Sequence, residues 1–479
     1  MQYAMDDPLF DIVLLNINYS NHADAAEGLV PPLGLCYISS YLKNLSIKSK
    51  IIDANALNLK EEEIIGLLAK YRPRAVGISA TTPTIVKAYE TIDCIKSFFP
   101  GMVVIIGGPH PSALPRQTLE ENKNIDIVVK GEGEITTREL VAAIKKNEGY
   151  RGIKGIIYRE GTEIRVNPQR ERIVDIDQLP FPDRSDLPIH KYRPSIKWYQ
   201  RTPFTTIMTS RGCPNDCIFC ASKNILGRTV RFRSPENVIA EIKLLIEQFG
   251  IKEIIFYDDT FTHNKKHAQR ICECMLREKL DITWGCLSRV DKVDKPLLEL
   301  MKKAGCHILS YGVESGNQEM LRRMRKKTKL EQIREAIKAT TEAGIDISTS
   351  FVFGVPGETK ASMEETIRFA LEIDPLFAQF YRVVPFPGTD LFTMYLEQNA
   401  GEKIKWQEFL EVGNSDNLIK LDTITTADFN RLLKESYKRF YLRPSKILKI
   451  LYKMSTPYKI QGLLRAFAAF MGIVVKKKQ

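Results

Sequence analysis

R-G-C-P-N-D-C-I-F-C-A-S, residues 211–222, places three of the chain's nine cysteines within eight positions as a C-x-x-x-C-x-x-C loop. Three thiolates this close share one metal centre, yet they leave a four-coordinate zinc ion or a cubane cluster one ligand short. The loop leaves directly from an apolar, strand-like run at residues 204–209. A zinc knuckle completed by a distant Cys or His, or three free thiols, is the alternative, but no second cysteine pair stands at zinc-ribbon spacing.

Downstream of the loop, strand-like runs at residues 253–257, 282–287, 307–312, 346–353 and 379–384 alternate with helical periodicity at 235–249, 265–279, 295–304, 330–343 and 361–373. Six β/α units are too few for a closed eight-stranded barrel and suffice for a curved, partly open one. Barrel sites gather at the carboxyl ends of the strands. Those ends carry Y-D-D-T-F at 257–261, Ser288-Arg289, V-E-S-G at 313–316, G-V-P-G-E at 354–358 and P-F-P-G-T at 385–389. Polar and glycine residues in phase with the cysteine loop predict one shared site, with Tyr257, Arg289, Tyr311, Tyr381 and Arg382 as candidates for its mouth.

Upstream, five apolar runs at 11–18, 49–53, 75–79, 102–106 and 126–129 alternate with helical stretches, the pattern of a doubly wound parallel sheet. Ligands bind beyond the carboxyl ends of such strands. There the sequence has Gly107-Gly108-Pro109-His110 and Gly131-Glu132-Gly133-Glu134, turns where a bulky cofactor meets backbone, or ordinary turns. No G-x-G-x-x-G follows the first strand, which argues against a dinucleotide. The reading therefore divides the chain into an α/β domain at 1–149, a proline-rich linker with a small hairpin at 150–197, a barrel at 198–395 and a basic helical region at 396–479.

Clustered cysteines, an odd total and acids in the first ten residues predict a reducing, cytoplasmic setting without a secretory signal. The six other cysteines read as small core residues. The net charge of +12 is local: from Lys434 onward twelve Lys or Arg face one acid, Glu435. That tail reads either as an interfacial helix on an anionic membrane, with the inner membrane surface as the expected location, or as a cap over the barrel. Nucleic acid is the weaker partner because no recognisable module accompanies the charge.

These residues resemble the radical S-adenosylmethionine (SAM) superfamily, and more narrowly its cobalamin-binding branch. Cys213, Cys217 and Cys220 match the superfamily loop, with Phe219 as the aromatic residue before the last cysteine. P-P-L-G-L at 31–35, G-G-P-H and G-E-G-E look like the branch's cobalamin domain. Within the branch, the chain is similar to hopanoid methylases and the anaerobic Mg-protoporphyrin ester cyclase group. The resemblance implies a [4Fe-4S] cluster on the three cysteines, its fourth iron chelated by SAM, and cleavage of SAM to a 5'-deoxyadenosyl radical. It implies cobalamin against Gly107, Gly108, Gly131 and Gly133. Asp258 or Asp259 would meet the SAM amino group, Glu314 and Ser315 the ribose, and Phe219 and Gly354 the adenine. A ferredoxin- or flavodoxin-type donor and an apolar, lipid-like substrate follow as partners, with methylation expected and cyclisation or carbon-carbon coupling as the alternative. A non-catalytic iron-sulfur or zinc protein is the reading from another class. The branch's Asp-x-His-x-x-Gly is altered, with Ser20 and Ala25 at the Asp and Gly positions. His22 is therefore read as an exposed histidine, and either cobalamin binds without it or the domain has lost the cofactor.

Overall fold

The computed structural model describes residues 8–18, 28–195, 198, 200–409 and 418–453. Its first sheet is organised on Phe10–Asn16, whose five inner residues are all buried. An apolar run without alternation needs cover on both faces, and a parallel sheet between helices provides it. The parallel strands lie in the order Ser49–Asp53, Phe10–Asn16, Pro73–Ser79, Val103–Gly107, Ile127–Val129. Ile12, Leu14 and Leu140 pack on one face, and Val13, Ile64 and Ile92 on the other. The order reverses between the strands that begin at Phe10 and Pro73, which opens a crevice at their carboxyl ends.

The expected hairpin forms, but it is no separate linker piece. Ile156–Glu160 pairs antiparallel with Ile127–Val129, and Glu163–Val166 pairs with it in turn, so the sheet has seven strands. Ladder hydrogen bonds at an otherwise open sheet edge account for the addition. The proline-dense stretch that follows is pinned at both sides. Asp183 and Asp186 accept Lys43 and Lys50 of the first domain at 2.6 and 2.5 Å. Between them Arg184 donates to Glu241 at 2.9 Å and to the Thr206 carbonyl at 2.8 Å in the barrel.

The second sheet has six parallel strands in sequential order: Phe204–Ile207, Glu253–Phe256, Thr283–Ser288, Cys306–Glu314, Asp346–Phe353 and Phe377–Arg382. This is the expected open barrel. Ser234, Asn264, Asp294, Thr359 and Thr389 each accept a backbone N–H at the start of an outer helix, so short polar residues in the loops after the strands set the helix starts. Helices Gln318–Arg323 and Asp390–Gln398 were not among the predicted ones. Of the cysteines read as core, Cys36, Cys272, Cys274, Cys286 and Cys306 are buried, whereas Cys94 is half-buried.

An open barrel leaves two edge strands, and one of them is Phe377–Arg382. Helix Thr426–Tyr441 covers it with two tyrosines one turn apart. The Tyr441 hydroxyl accepts from Ala378 N at 3.0 Å and donates to Ala378 O at 2.8 Å. Tyr437 does the same for Phe380 at 3.2 and 3.0 Å. Helix Pro444–Lys453 then docks through Lys446, which reaches Asp374 at 2.6 Å and the Pro375 carbonyl at 2.6 Å. Arg443, Lys449 and Lys453 pair with Asp374 and Asp346. Four of the tail's cations thus share two barrel carboxylates, and residues 426–453 form a cap. No helix among the described residues is long and apolar enough to cross a membrane. The apolar stretch at 460–475 lies outside the described residues, as does the loop 19–27 that carries His22.

Candidate active site

The cysteine loop is closed at its base by a two-residue antiparallel ladder in which Ser210 faces Phe232 and Arg211 faces Arg231. Gly212 follows at φ +106°, and a Cβ there would run into the Thr229 carbonyl, so only glycine permits the turn. Cys213 N donates to the Gly227 carbonyl at 3.0 Å, and Cys220 N to the Cys217 carbonyl at 3.1 Å. Ile218, between the cysteines, is held by Met324 O and Leu391 N at 3.2 and 3.1 Å.

All three cysteines border one cavity of about 210 Å³ at the carboxyl ends of the barrel strands. Its wall also includes Phe219, Asp259, Arg289, Glu314 and Lys326. Burial pushes the Cys220 thiol up to about 11 and raises Cys217 as well, so thiolates here need cationic partners. Among the described residues no three His, Cys, Asp or Glu side chains are gathered around a point where they could hold one metal ion. Three thiols on one wall supply three of the four ligands that a cubane cluster takes and leave the fourth position open to the cavity.

The structure separates the predicted residues. Asp259 faces the cavity and accepts from the Ser222 hydroxyl at 2.5 Å, and burial raises its carboxyl. Asp258 points the other way, 1 % exposed, accepting from Thr209 N at 3.0 Å, Thr209 Oγ1 at 2.9 Å and Ser210 Oγ at 2.5 Å. It shapes the approach to the cysteine loop and does not line the cavity. Consecutive residues at a strand end point to opposite faces, which is why only one of the pair is in the site. Glu314 lies in the cavity, its Oε1 2.7 Å from Lys326 Nζ, while Ser315 turns into the protein against Thr366 Oγ1 at 3.0 Å. Gly354, at φ +91°, is buried outside the cavity wall, where its N–H donates to the Glu358 carboxylate. Of the mouth candidates only Arg289 lines the wall: Tyr311 is fully buried against Thr340, Arg382 is held by Asn430, and Tyr257 and Tyr381 are not in the wall.

Lys326 was missed. It sits in the basic run R-M-R-K-K-T-K, and lysines are mostly exposed in folded proteins, yet it is 7 % exposed. Its partner Glu314, also buried, was the available signal, but nothing in the spacing joins them.

The four predicted glycines divide as well. Gly108, at φ +99°, would place a Cβ 2.7 Å from the Ala80 carbonyl, and a Cβ on Gly133 would meet Ile38 Cδ1 at 2.8 Å. Protein packing explains both. A Cβ on Gly107 would meet only ordinary contacts with Val129, and one on Gly131, at φ +85°, would find no atom within 4 Å. Gly131 lies beyond the carboxyl end of Ile127–Val129, two strands along the sheet from the crevice, and the fit to cobalamin rests on that open turn. Its neighbours Glu132 and Glu134, read with the turn as part of a cofactor loop, are instead turned to the barrel. Glu134 accepts from Arg211 Nη2 at 2.7 Å, and Glu132 accepts from Arg211 Nη1 at 3.0 Å and Arg231 Nη1 at 2.9 Å. Burial pushes the Glu132 carboxyl up, but the two guanidinium groups more than offset this and hold it below its usual range.

Residues 207–370 match the model of the radical SAM superfamily, and residues 22–141 that of the B12 binding domain. An uncharacterized methyltransferase of Pyrococcus horikoshii is 37% identical over 440 residues, spanning 91% of this chain and 94% of the relative. The chain belongs to the radical SAM superfamily. More closely, it is a member of the cobalamin-dependent branch, which contains methyltransferases and cyclases, and it is an enzyme. The anaerobic magnesium-protoporphyrin IX monomethyl ester cyclase of Rubrivivax gelatinosus is 29% identical, covering 95% of this radical SAM enzyme and 82% of the cyclase. The fold is shared with the cobalamin-dependent radical enzyme OxsB, with a TM-score of 0.72, 21% identity and coverage of 96% and 72% of the two chains. The radical SAM methyltransferase TsrM of Kitasatospora setae has the same architecture, with a TM-score of 0.69, 19% identity and coverage of 83% and 76%. A [4Fe-4S] cluster, SAM and cobalamin are the cofactors of this branch.

Proposed function

We propose that this enzyme methylates an unactivated carbon of an apolar, lipid-like substrate, with Cys213, Cys217 and Cys220 as the cluster ligands. The observation that carries the reading is the single cavity in which the three thiols meet Asp259, Arg289, Glu314 and Lys326. When bound, the cluster supplies the electron that cleaves SAM, and cobalamin serves as the methyl carrier. Asp259 accepts from the SAM ammonium group, and Arg289 and Lys326 present cations to its carboxylate. Glu314 is oriented by Lys326 toward the ribose hydroxyls, and Phe219 covers the adenine. Asp258, Ser315 and Gly354 act from behind these groups by fixing loop shape. Gly107 and Gly131, beyond the carboxyl ends of two adjacent strands, would border cobalamin without a ligand from His22.

The second reading, radical cyclisation or coupling without methyl transfer, is favoured by the similarity to the porphyrin ester cyclase. Anaerobic reconstitution with iron, sulfide, hydroxocobalamin, SAM and a low-potential donor of the ferredoxin or flavodoxin class separates the two. S-adenosylhomocysteine formed together with 5'-deoxyadenosine supports methylation. Conversion of a candidate lipid to product with SAM cleaved to methionine and 5'-deoxyadenosine, and without S-adenosylhomocysteine, supports the second reading, and failure to take up iron and sulfide defeats both. Peripheral membrane contact draws support from the outward apolar stripe Ile447, Leu448, Leu451 and Tyr452. Flotation with anionic liposomes checks it, and a chain that stays with the soluble fraction at low salt refutes it.

A further inference from the structure

Glu132 spans the base of the cysteine loop. Its Oε1 accepts from Arg211 and its Oε2 from Arg231, the two residues that face each other across the ladder that closes the loop. Glu134 holds Arg211 a second time, and the Arg211 guanidinium lies 4.7 Å over the Tyr37 ring of the first domain. Side-chain exposure across the two carboxylates and two guanidinium groups is only 5–8 %. Such burial of charge is a poor source of stability, since well-packed apolar residues do as well. What planar forks add is a fixed geometry. Glu132 belongs to the turn that includes Gly131 and directly follows Ile127–Val129 at the carboxyl end of the first sheet, and Glu134 is the first residue of the helix that leaves this turn. A shift of this turn therefore moves both ends of the cysteine loop together.

We propose that Glu132 and Glu134 are positioning residues that couple the two cofactor sites: a corrinoid seated at the Gly131 turn changes how the cysteine loop receives SAM, and the reverse. This rests on the proposed function for what binds at each end. Thermodynamic linkage requires the coupling to be reciprocal, and such couplings commonly amount to about fivefold or more in affinity.

The test uses the full chain, anaerobically reconstituted, with SAM binding read from the change in the electron paramagnetic resonance spectrum of the reduced cluster. In the wild type, hydroxocobalamin is expected to shift the SAM Kd by about fivefold or more. Glu132→Gln, Glu134→Gln and Arg211→Lys, which keeps charge but loses the fork, are expected to retain iron content and bind both ligands with that shift reduced to less than about twofold. Glu121→Gln is the control: it weakens a different contact between the two parts of the chain, to the Trp406 indole at 2.9 Å, and should leave the shift intact. A full shift in the loaded glutamate variants, or no shift in the loaded wild type, overturns the proposal. Should the glutamate variants fail to fold, the shift in Arg211→Lys decides, and its retention overturns the proposal. A wild-type chain that takes up neither group instead defeats the functional reading on which the proposal rests.

Discussion

Glu314 ends its strand with φ at +68°, and its Oε1 lies 2.7 Å from the Lys326 ammonium inside the cavity wall. The register of the adjoining strand shifts between Gly312 and Glu314, so the chain kinks and brings the carboxylate inward. A non-glycine residue with positive φ costs about 1 kcal/mol or more, tolerated where the surroundings over-determine it. Replacing Lys326 by Met leaves a buried carboxylate unpaired. The expected cost is about 3 kcal/mol in unfolding free energy, with weaker SAM binding. Chemical denaturation and equilibrium binding measure both, and a Lys326→Met protein as stable as wild type would refute this role for the pair.

Glu358 provides a pH signature. Burial raises its carboxyl from the ordinary 4.5 to about 7, although the Ser362 hydroxyl and Gly354 N–H act against this. Between pH 4.5 and 7 the folded chain holds this proton and the unfolded chain does not. Stability therefore falls as pH rises through that window, by about 3 kcal/mol in total, and levels off above it. Glu358→Gln should remove this component of the slope. Denaturation midpoints of the two proteins between pH 4.5 and 8 make the comparison, and parallel curves would contradict it.

The tyrosine pair on the barrel edge predicts a local effect. Tyr437→Phe and Tyr441→Phe keep the rings but remove hydroxyls that both donate to and accept from the edge strand. Each should cost about 1–3 kcal/mol, with faster hydrogen exchange at the Phe380 and Ala378 amides respectively. Unchanged protection in both variants would mean that water replaces the hydroxyls without loss.

Gly212→Ala should act on the cysteine loop alone. The left-handed backbone and the Thr229 carbonyl leave no place for a methyl group, so the loop must open at its base. Reconstituted protein is expected to carry much less iron and sulfide while its far-ultraviolet circular dichroism stays that of wild type. A full complement of iron would show that the loop tolerates the change.

The sequence by itself determined the strands of both sheets and the reactive centre. Apolar runs such as Val13 to Leu15 demand burial on two faces, and three thiols within eight positions are neighbours whatever surrounds them. Strand ends also announced where the site would gather, and Asp259, Glu314 and Phe219 are there. Tertiary structure decided which of two adjacent aspartates enters the cavity, because direction at a strand end depends on the register with the neighbouring strand. It decided that Lys326, from a basic run, is an interior cation, because only the kink at Glu314 gives it a buried partner. It also turned Glu132 and Glu134 from a presumed cofactor loop into ties on Arg211 and Arg231, since charge pairs between residues 77 to 99 positions apart leave no periodic trace in the chain.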